Sequence, residues 1–235
     1  MKLSALIFTF FIAVQSSASN GLEPWIWKSS QCQTCGVYFQ PAKNIQFDDR
    51  ALEFKKALEE EKPRILEIYE IHSQEYNLLA WMALGILGNE SKFFTSPRYQ
   101  VKEHLPLIVR AGKIVKSNIT GRPMTDNSRG PTQIKKVPAR IEYHYNIQPK
   151  DLRVPRHAAV ATVGFLIEAL EELKTRATYY HLDYINQDTY ADYLPYVYTG
   201  QSKKLIQGTA TPEKNLYVQA MKKNMNLFKV YEVLY

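Results

Sequence analysis

Residues 77–91 read NLLAWMALGILGNES, and this stretch decides the fold class. Leu78, Leu79, Trp81, Met82, Leu84, Ile86 and Leu87 leave no polar face at helical spacing, so the segment is a helix buried on all sides. Asn77 is suited to cap its start, and it runs out in Gly88-Asn89-Glu90-Ser91. A helix of that kind needs other helices or a sheet around it. On its N-terminal side, Asp48 or Asp49 is an N-cap candidate for a charged helix over residues 50–61. Pro63 suits the first turn of a second helix, whose apolar side would hold Ile65, Leu66, Ile68, Tyr69 and His72. On its C-terminal side, residues 93–138 are rich in Pro, Gly, Lys, Arg, Asn and Thr, with a short apolar piece at 105–109. They read as a long, partly structured insertion of the kind that carries function.

Beyond the insertion the pattern turns helical again. Pro155 opens a segment with Ala158, Val160, Ala161, Val163, Leu166, Ile167 and Leu170 as a stripe, and Glu168, Glu171, Glu172 and Lys174 as its wet side. Residues 179–198 are dense in tyrosine and include Asp183, Asp188 and Asp192. Pro212 opens a last helix through Tyr217 and Met221 to about residue 226. No set of alternating strands appears, so the expected class is mainly α.

The termini and the bulk composition bound the setting. Lys2 followed by the apolar run 5–14 and the small residues Ser16 and Ala18 reads as a secretory signal peptide cleaved after Ala18. The run is too short to span a bilayer, and no later stretch is long and apolar enough to do so. The division expected is a signal peptide over residues 1–18, an N-terminal extension over 19–47 and one domain over 48–235. Cys32 and Cys35 are the only cysteines. In an oxidising compartment they suit a small-loop disulfide; the redox alternative calls for a strand before the pair and a helix after it. One CxxC supplies too few ligands for zinc, and His72, His104, His144, His157 and His181 stand at no metal-ligand spacing. No phosphate-cradling glycine loop occurs. Neither a metal nor a cofactor is expected. The formal net charge of +7 suits a polyanionic partner: nucleic acid, an anionic membrane or a cell wall.

The residue that carries chemistry is Glu90. A carboxyl at the C-terminal end of a buried helix meets apolar surroundings and the negative end of the helix dipole. Both disfavour the bare carboxylate and favour a general acid still protonated near neutrality. Glycosidic oxygen is a poor leaving group and needs such a donor. The same residue also fits a solvated helix end.

Four stretches in order extend this reading. Glu90-Ser91-Lys92-Phe93 resembles the Glu-Ser-x-Phe signature of soluble lytic transglycosylases, whose fold goose-type lysozymes share. Residues 128–134, Ser-Arg-Gly-Pro-Thr-Gln-Ile, are similar to their Gly-Leu-Met-Gln motif through Gly130 and Gln133. The segment 157–170 resembles the family helix with an aromatic-Leu pair, here Phe165-Leu166. Tyr198-Thr199-Gly200 resembles the Tyr-Asn-Gly motif, followed by Tyr217 in a terminal helix. The resemblance covers about residues 76–226. Pro131, Thr132 and Thr199 depart from it, an expected Asn near Ala158 is missing, and the stretch between Glu90 and Gly130 is longer than in compact members.

The resemblance implies a lysozyme-like helical domain with a long active-site insertion, exported to the periplasm or secreted, acting as a monomer on peptidoglycan glycan strands. Glu90 would be the acid/base at the bond between N-acetylmuramic acid and N-acetylglucosamine. Ser91, Gln133 and Tyr198 would shape the glycan site. Without the resemblance, Gln133 suits a capped turn, Tyr198 a core phenol bonded to backbone, and Tyr217 a packing residue. A transglycosylase works with one acid/base; a lysozyme needs a second carboxylate, for which Asp126 is the candidate, although Asp126-Asn127 is also an ordinary turn pair. A non-catalytic wall-glycan binder is the second class, motivated by Pro131, Thr132 and Thr199. A nucleic-acid binder is the third, motivated by charge alone. The lysines and arginines are scattered, with no recognition-helix or stacking pattern, so no nucleic-acid partner is expected.

Overall fold

The computed structural model describes residues 47–104, 114, 117 and 129–234. The signal-peptide reading, the Cys32 and Cys35 pair and Asp126 lie outside these residues, as does the apolar piece at 105–109. Among the described residues the protein is mainly helical and no strand forms; a single antiparallel bridge joins Arg129 to Ile134.

Helix α1, Asp49–Glu60, is capped by Asp48, whose Oδ1 accepts from the Arg50 backbone N–H at 3.0 Å. It buries Ala51, Phe54, Ala57 and Leu58, one stripe at helical spacing. Helix α2, Lys62–Tyr69, follows at once with Pro63 in its first turn and ends at Glu70 in the left-handed conformation. Ile65 and Tyr69 are its buried residues. His72 does not continue that apolar stripe: it is exposed and occupies the N-cap of the next helix.

Helix α3, Ser73–Ser91, is the buried helix of residues 77–91, but it starts earlier than Asn77. Glu75 lies in its first turn, where a carboxylate meets the positive end of the dipole, and it pairs with Lys174 at 2.5 Å. With that polar turn in place Asn77 is an interior residue. Its side-chain amide is buried and has no hydrogen-bond partner among the described residues.

Inside the region read as an insertion, Pro97–His104 forms helix α4. Then come α5, Ala139–Tyr145, and a short 3-10 turn, Pro149–Arg153. The 25-residue α6, Pro155–Tyr179, follows. Its stripe from Ala158 to Leu170 is buried and Glu168, Glu171 and Glu172 are exposed, as the periodicity requires. Helix α7, Tyr190–Tyr198, and the short α8, Lys203–Ile206, come next. Pro212 opens a 3-10 turn, Pro212–Lys214, rather than the last helix itself. That helix, α9, spans Leu216–Leu234 and extends well past residue 226. Asn215 interrupts the two: its side chain accepts from the Tyr217 N–H at 3.0 Å and so starts α9 afresh.

Helix α3 is the axis of the packing. It lies against α9 and α6, while α1 and α7 cover other sides of α6. Glycine sets the approach of α9. A Cβ on Gly85 would stand 2.7 Å from the carbonyl oxygen of Met221, and one on Gly88 would stand 2.5 Å from the Asn224 amide. Asn224 then donates to Asn89 Oδ1 at 2.9 Å. These contacts fix α9 beside the last two turns of α3, where Glu90 sits.

Candidate functional site

Glu90 lies in the last turn of α3, and the chain beyond it turns sharply. Lys92, Phe93 and Phe94 all have positive φ, at 48°, 55° and 69°. Left-handed backbone is unfavourable for bulky residues, so such a run persists only where its surroundings fix it. Ser91 does much of this. Its hydroxyl donates to the Leu87 carbonyl at 2.8 Å and accepts from the Phe94 N–H at 3.1 Å, while its carbonyl accepts from Ser96 N–H at 2.9 Å. Two aromatic anchors complete the fixation. Phe93 meets Phe47 and Phe228 edge to face, and Phe94 is buried with Arg50 above its ring. Ser91 is itself fully buried. It therefore shapes the site from beneath, by holding the turn that follows the acid.

The carboxyl of Glu90 is half-buried, and Oε1 accepts a hydrogen bond from the Tyr217 hydroxyl at 2.9 Å. Burial pushes the Glu90 carboxyl above the ordinary carboxylate range. The Tyr217 hydrogen bond and the charges of Lys102 and Arg98 act in the opposite sense, and burial prevails. Tyr217 is itself held by its start-of-helix position and by Asn89, whose side-chain amide donates to the Tyr217 carbonyl at 3.0 Å. Burial also pushes the phenols of Tyr217 and Tyr198 well above their usual range, so both are neutral donors at any ordinary pH.

Tyr198 ends α7 and stacks on Tyr217, with ring centroids 6.4 Å apart at 29°. Phe165 of α6 meets the Tyr198 ring edge to face at 5.5 Å. The Tyr198 hydroxyl donates to the carbonyl of Thr132. That bond ties α7 to the turn over residues 129–134. Here Gly130 takes φ +71°, and any Cβ would meet the Leu152 carbonyl oxygen at 2.6 Å, so glycine is required. Gln133 also has positive φ, and its side-chain amide folds back onto the Gly130 carbonyl at 2.5 Å. The capped-turn reading of Gln133 is thus present in the structure. Its Oε1 accepts from Lys102 of α4, which brings the turn and α4 together near the acid.

The departure at 132 has a local compensation. Thr132 is buried and its hydroxyl pairs with that of Thr162 on α6 at 2.6 Å, in place of an apolar contact. Thr199 bonds the Pro195 carbonyl at 2.8 Å and receives the Gln201 amide at 3.0 Å. Its hydroxyl is spent on the end of α7.

The four stretches read in order along the chain therefore meet in space. Glu90 from α3, the Gly130–Gln133 turn, Tyr198 from α7 with Phe165 behind it, and Tyr217 from α9 form one chain of contacts. The cation Lys102 and the donor Tyr217 were not among the expected polar groups of the site. The Tyr217 position carried a weak signal, since it follows Tyr198-Thr199-Gly200 at a fitting interval. For Lys102 the sequence offered none, because it is one of many scattered basic residues. His157 Nδ1 is buried and has no partner among the described residues. Among the described residues no cluster of His, Cys, Asp or Glu suits a metal ion, and no helix is long and apolar enough to cross a membrane. No protein-family model, curated protein or solved structure matches the chain.

Proposed function

We propose that the protein is a peptidoglycan glycosidase of lysozyme-like fold, acting as a lytic transglycosylase with Glu90 as its single acid/base. The observation that carries the proposal is a half-buried carboxyl at the end of a buried helix, raised by desolvation and held by one neutral phenol. Such a group holds its proton to higher pH than an ordinary glutamate, and the proton is available for transfer. The contacts that link Glu90 through Tyr217 and Tyr198 to the Gly130–Gln133 turn support the family resemblance.

The chemistry follows from one carboxyl. Glu90 gives its proton to the glycosidic oxygen between N-acetylmuramic acid and N-acetylglucosamine as the C1–O bond breaks. The 6-hydroxyl of the muramic acid then bonds to C1, and its proton returns to Glu90. Atoms and charge balance without water, and the product has a 1,6-anhydro end. Tyr217 orients the carboxyl. Tyr198 and Gln133 form the wall beside it. A hydrolase would need a base or nucleophile on the far side of the bond. Asp126, the candidate for that role, lies outside the described residues, and the transglycosylase is the reading that needs only the carboxyl described.

The test is digestion of purified peptidoglycan by the mature protein and by Glu90→Gln, with released fragments read by mass. Anhydro-muropeptides that vanish with Glu90→Gln are the expected result. Reducing-end products would replace the transglycosylase with a lysozyme and make Asp126→Ala the next variant. Wall binding without products from either protein would replace both with a glycan-binding protein.

A further inference from the structure

A second charged pair lies behind the site and has no part in the chemistry above. Asp192 of α7 and Lys222 of α9 are both nearly buried, 5% and 9% exposed, and the ammonium meets Asp192 Oδ1 at 2.6 Å. Glu213, in the turn before α9, acts electrostatically on both. Removing two charges from water is expensive, and what their contact adds over an apolar pair of similar size is one fixed relative geometry of the two helices. The position of the pair suggests what it does.

Asp192 stands six residues before Tyr198, roughly 9 Å along α7 at 1.5 Å per residue. Lys222 stands five residues after Tyr217, roughly 7.5 Å along α9. Helices α7 and α9 are therefore tied at two points: the stacked rings of Tyr198 and Tyr217 at the site, and the ion pair one to two turns behind it. The other attachments of these helices differ. Helix α9 is locked to α3 by the close approach at Gly85 and Gly88 and by the amide contact of Asn224 with Asn89. Helix α7 packs mainly on α6, with Tyr198 held by Phe165 and the Thr132 carbonyl, but Pro195 in its interior removes one backbone donor and weakens it as a rigid lever.

We propose that Asp192 and Lys222 are a positioning pair that holds α7, and Tyr198 with it, over Glu90 and so keeps the acid dehydrated. The proposal rests on Glu90 as the acid of the site, but not on the identity of the substrate. Its consequence has a direction. The groups that face Glu90 are Tyr217 from α9, Lys102 and Arg98 from α4, and Tyr198 from α7. Loosening α7 leaves the Tyr217 hydrogen bond in place, because α9 stays locked to α3. Water reaches the carboxyl instead, and its pKa falls toward the ordinary glutamate value. Loss of Tyr217 itself has the opposite sign.

The experiment compares the parent protein with Asp192→Leu/Lys222→Met, which replaces the pair by apolar side chains of similar size, and with Asp192→Asn, which keeps a hydrogen bond but removes the charge. Glu90 is titrated by carbon-detected NMR of its labelled carboxyl, with Glu90→Gln assigning the signal. The expected result is a folded double variant whose Glu90 titrates lower than in the parent, with the alkaline limb of glycan cleavage shifted down in parallel. A Glu90 titration unchanged in a folded variant overturns the proposal. If the double variant does not fold, the titration of Asp192→Asn decides by the same criterion. Absence of any glycan cleavage would remove the glycosidase reading and leave the titration result standing.

Discussion

The hydroxyl of Tyr217 donates to Oε1 of Glu90 at 2.9 Å, joining the first turn of α9 to the last turn of α3 across 127 residues of sequence. The bond opposes the upward push of burial on the carboxyl and fixes the carboxyl's orientation.

Tyr217→Phe removes that donor and leaves the ring stack on Tyr198. The Glu90 pKa is expected to rise further, since a lowering influence is lost and desolvation stays. The alkaline limb of cleavage then moves to higher pH, because the acid form survives longer. The rate at the optimum falls by about tenfold or more, as the carboxyl is less well oriented. Stability changes by about 1 kcal/mol, the size of one hydrogen bond. A pH–rate profile on peptidoglycan and a denaturant titration check both parts, and an alkaline limb shifted downward would contradict the assignment.

Glu90→Gln should stabilise the protein in a pH-dependent way. The folded carboxyl is raised above the unfolded value of about 4.3. The folded state therefore holds a proton that the unfolded chain has released. Stability is fully present below the unfolded pKa and is lost as pH rises through the folded one. Melting temperatures of the parent and Glu90→Gln should be close at pH 4 and diverge by pH 7, with the variant the more stable. A constant gap across this window would mean that Glu90 is not desolvated in the folded protein.

Ser91→Ala leaves the buried Phe94 N–H without its side-chain acceptor in a run of three left-handed residues. The loss is expected at about 1–3 kcal/mol. It should be accompanied by a drop in cleavage larger than the fall in folded population, because the turn that follows the acid relaxes. Chemical denaturation paired with activity on the folded fraction measures the two separately. Equal losses would make Ser91 a stability residue alone.

Gly85→Ala forces a Cβ against the backbone carbonyl of Met221 at 2.7 Å, an atom that cannot rotate away. Helix α9 must shift, at a cost of about 1–3 kcal/mol. The shift carries Tyr217 from Glu90, so the Glu90 titration should move upward as it does in Tyr217→Phe. Gly88→Ala is expected to be milder, since the Asn224 amide and Phe93 ring it meets are side-chain groups. A Gly85→Ala protein with parental stability would contradict the close approach of α3 and α9.

The sequence by itself determined the helical class, the burial of residues 78–87, a cap at Asp48 or Asp49 and the place of Glu90 at the end of a buried helix. These features are local: helical periodicity, capping chemistry and the surroundings of one helix end are written within a few turns of chain. Local signals misplaced several helix boundaries. Asn77 has the chemistry of a cap, yet Ser73 and Glu75 give the helix an earlier start, with Glu75 fixed by a partner 99 residues away. His72 fits the stripe of α2 by spacing, but Glu70 turns left-handed and ends that helix first. The last helix begins after Pro212 because Asn215 caps it anew.

What only the tertiary structure decided is which polar groups face Glu90. Lys102 is one basic residue among many until the turn at Gly130 brings Gln133 to it. Tyr217 is a packing phenol until two glycines let α9 approach α3 closely enough for its hydroxyl to reach the acid. Asp192 and Lys222 are surface types by composition, and become a buried pair only where α7 crosses α9. Each of these contacts depends on the separation of helices distant in sequence. That separation is set by side-chain volumes on both partners at once, which no single stretch of sequence contains.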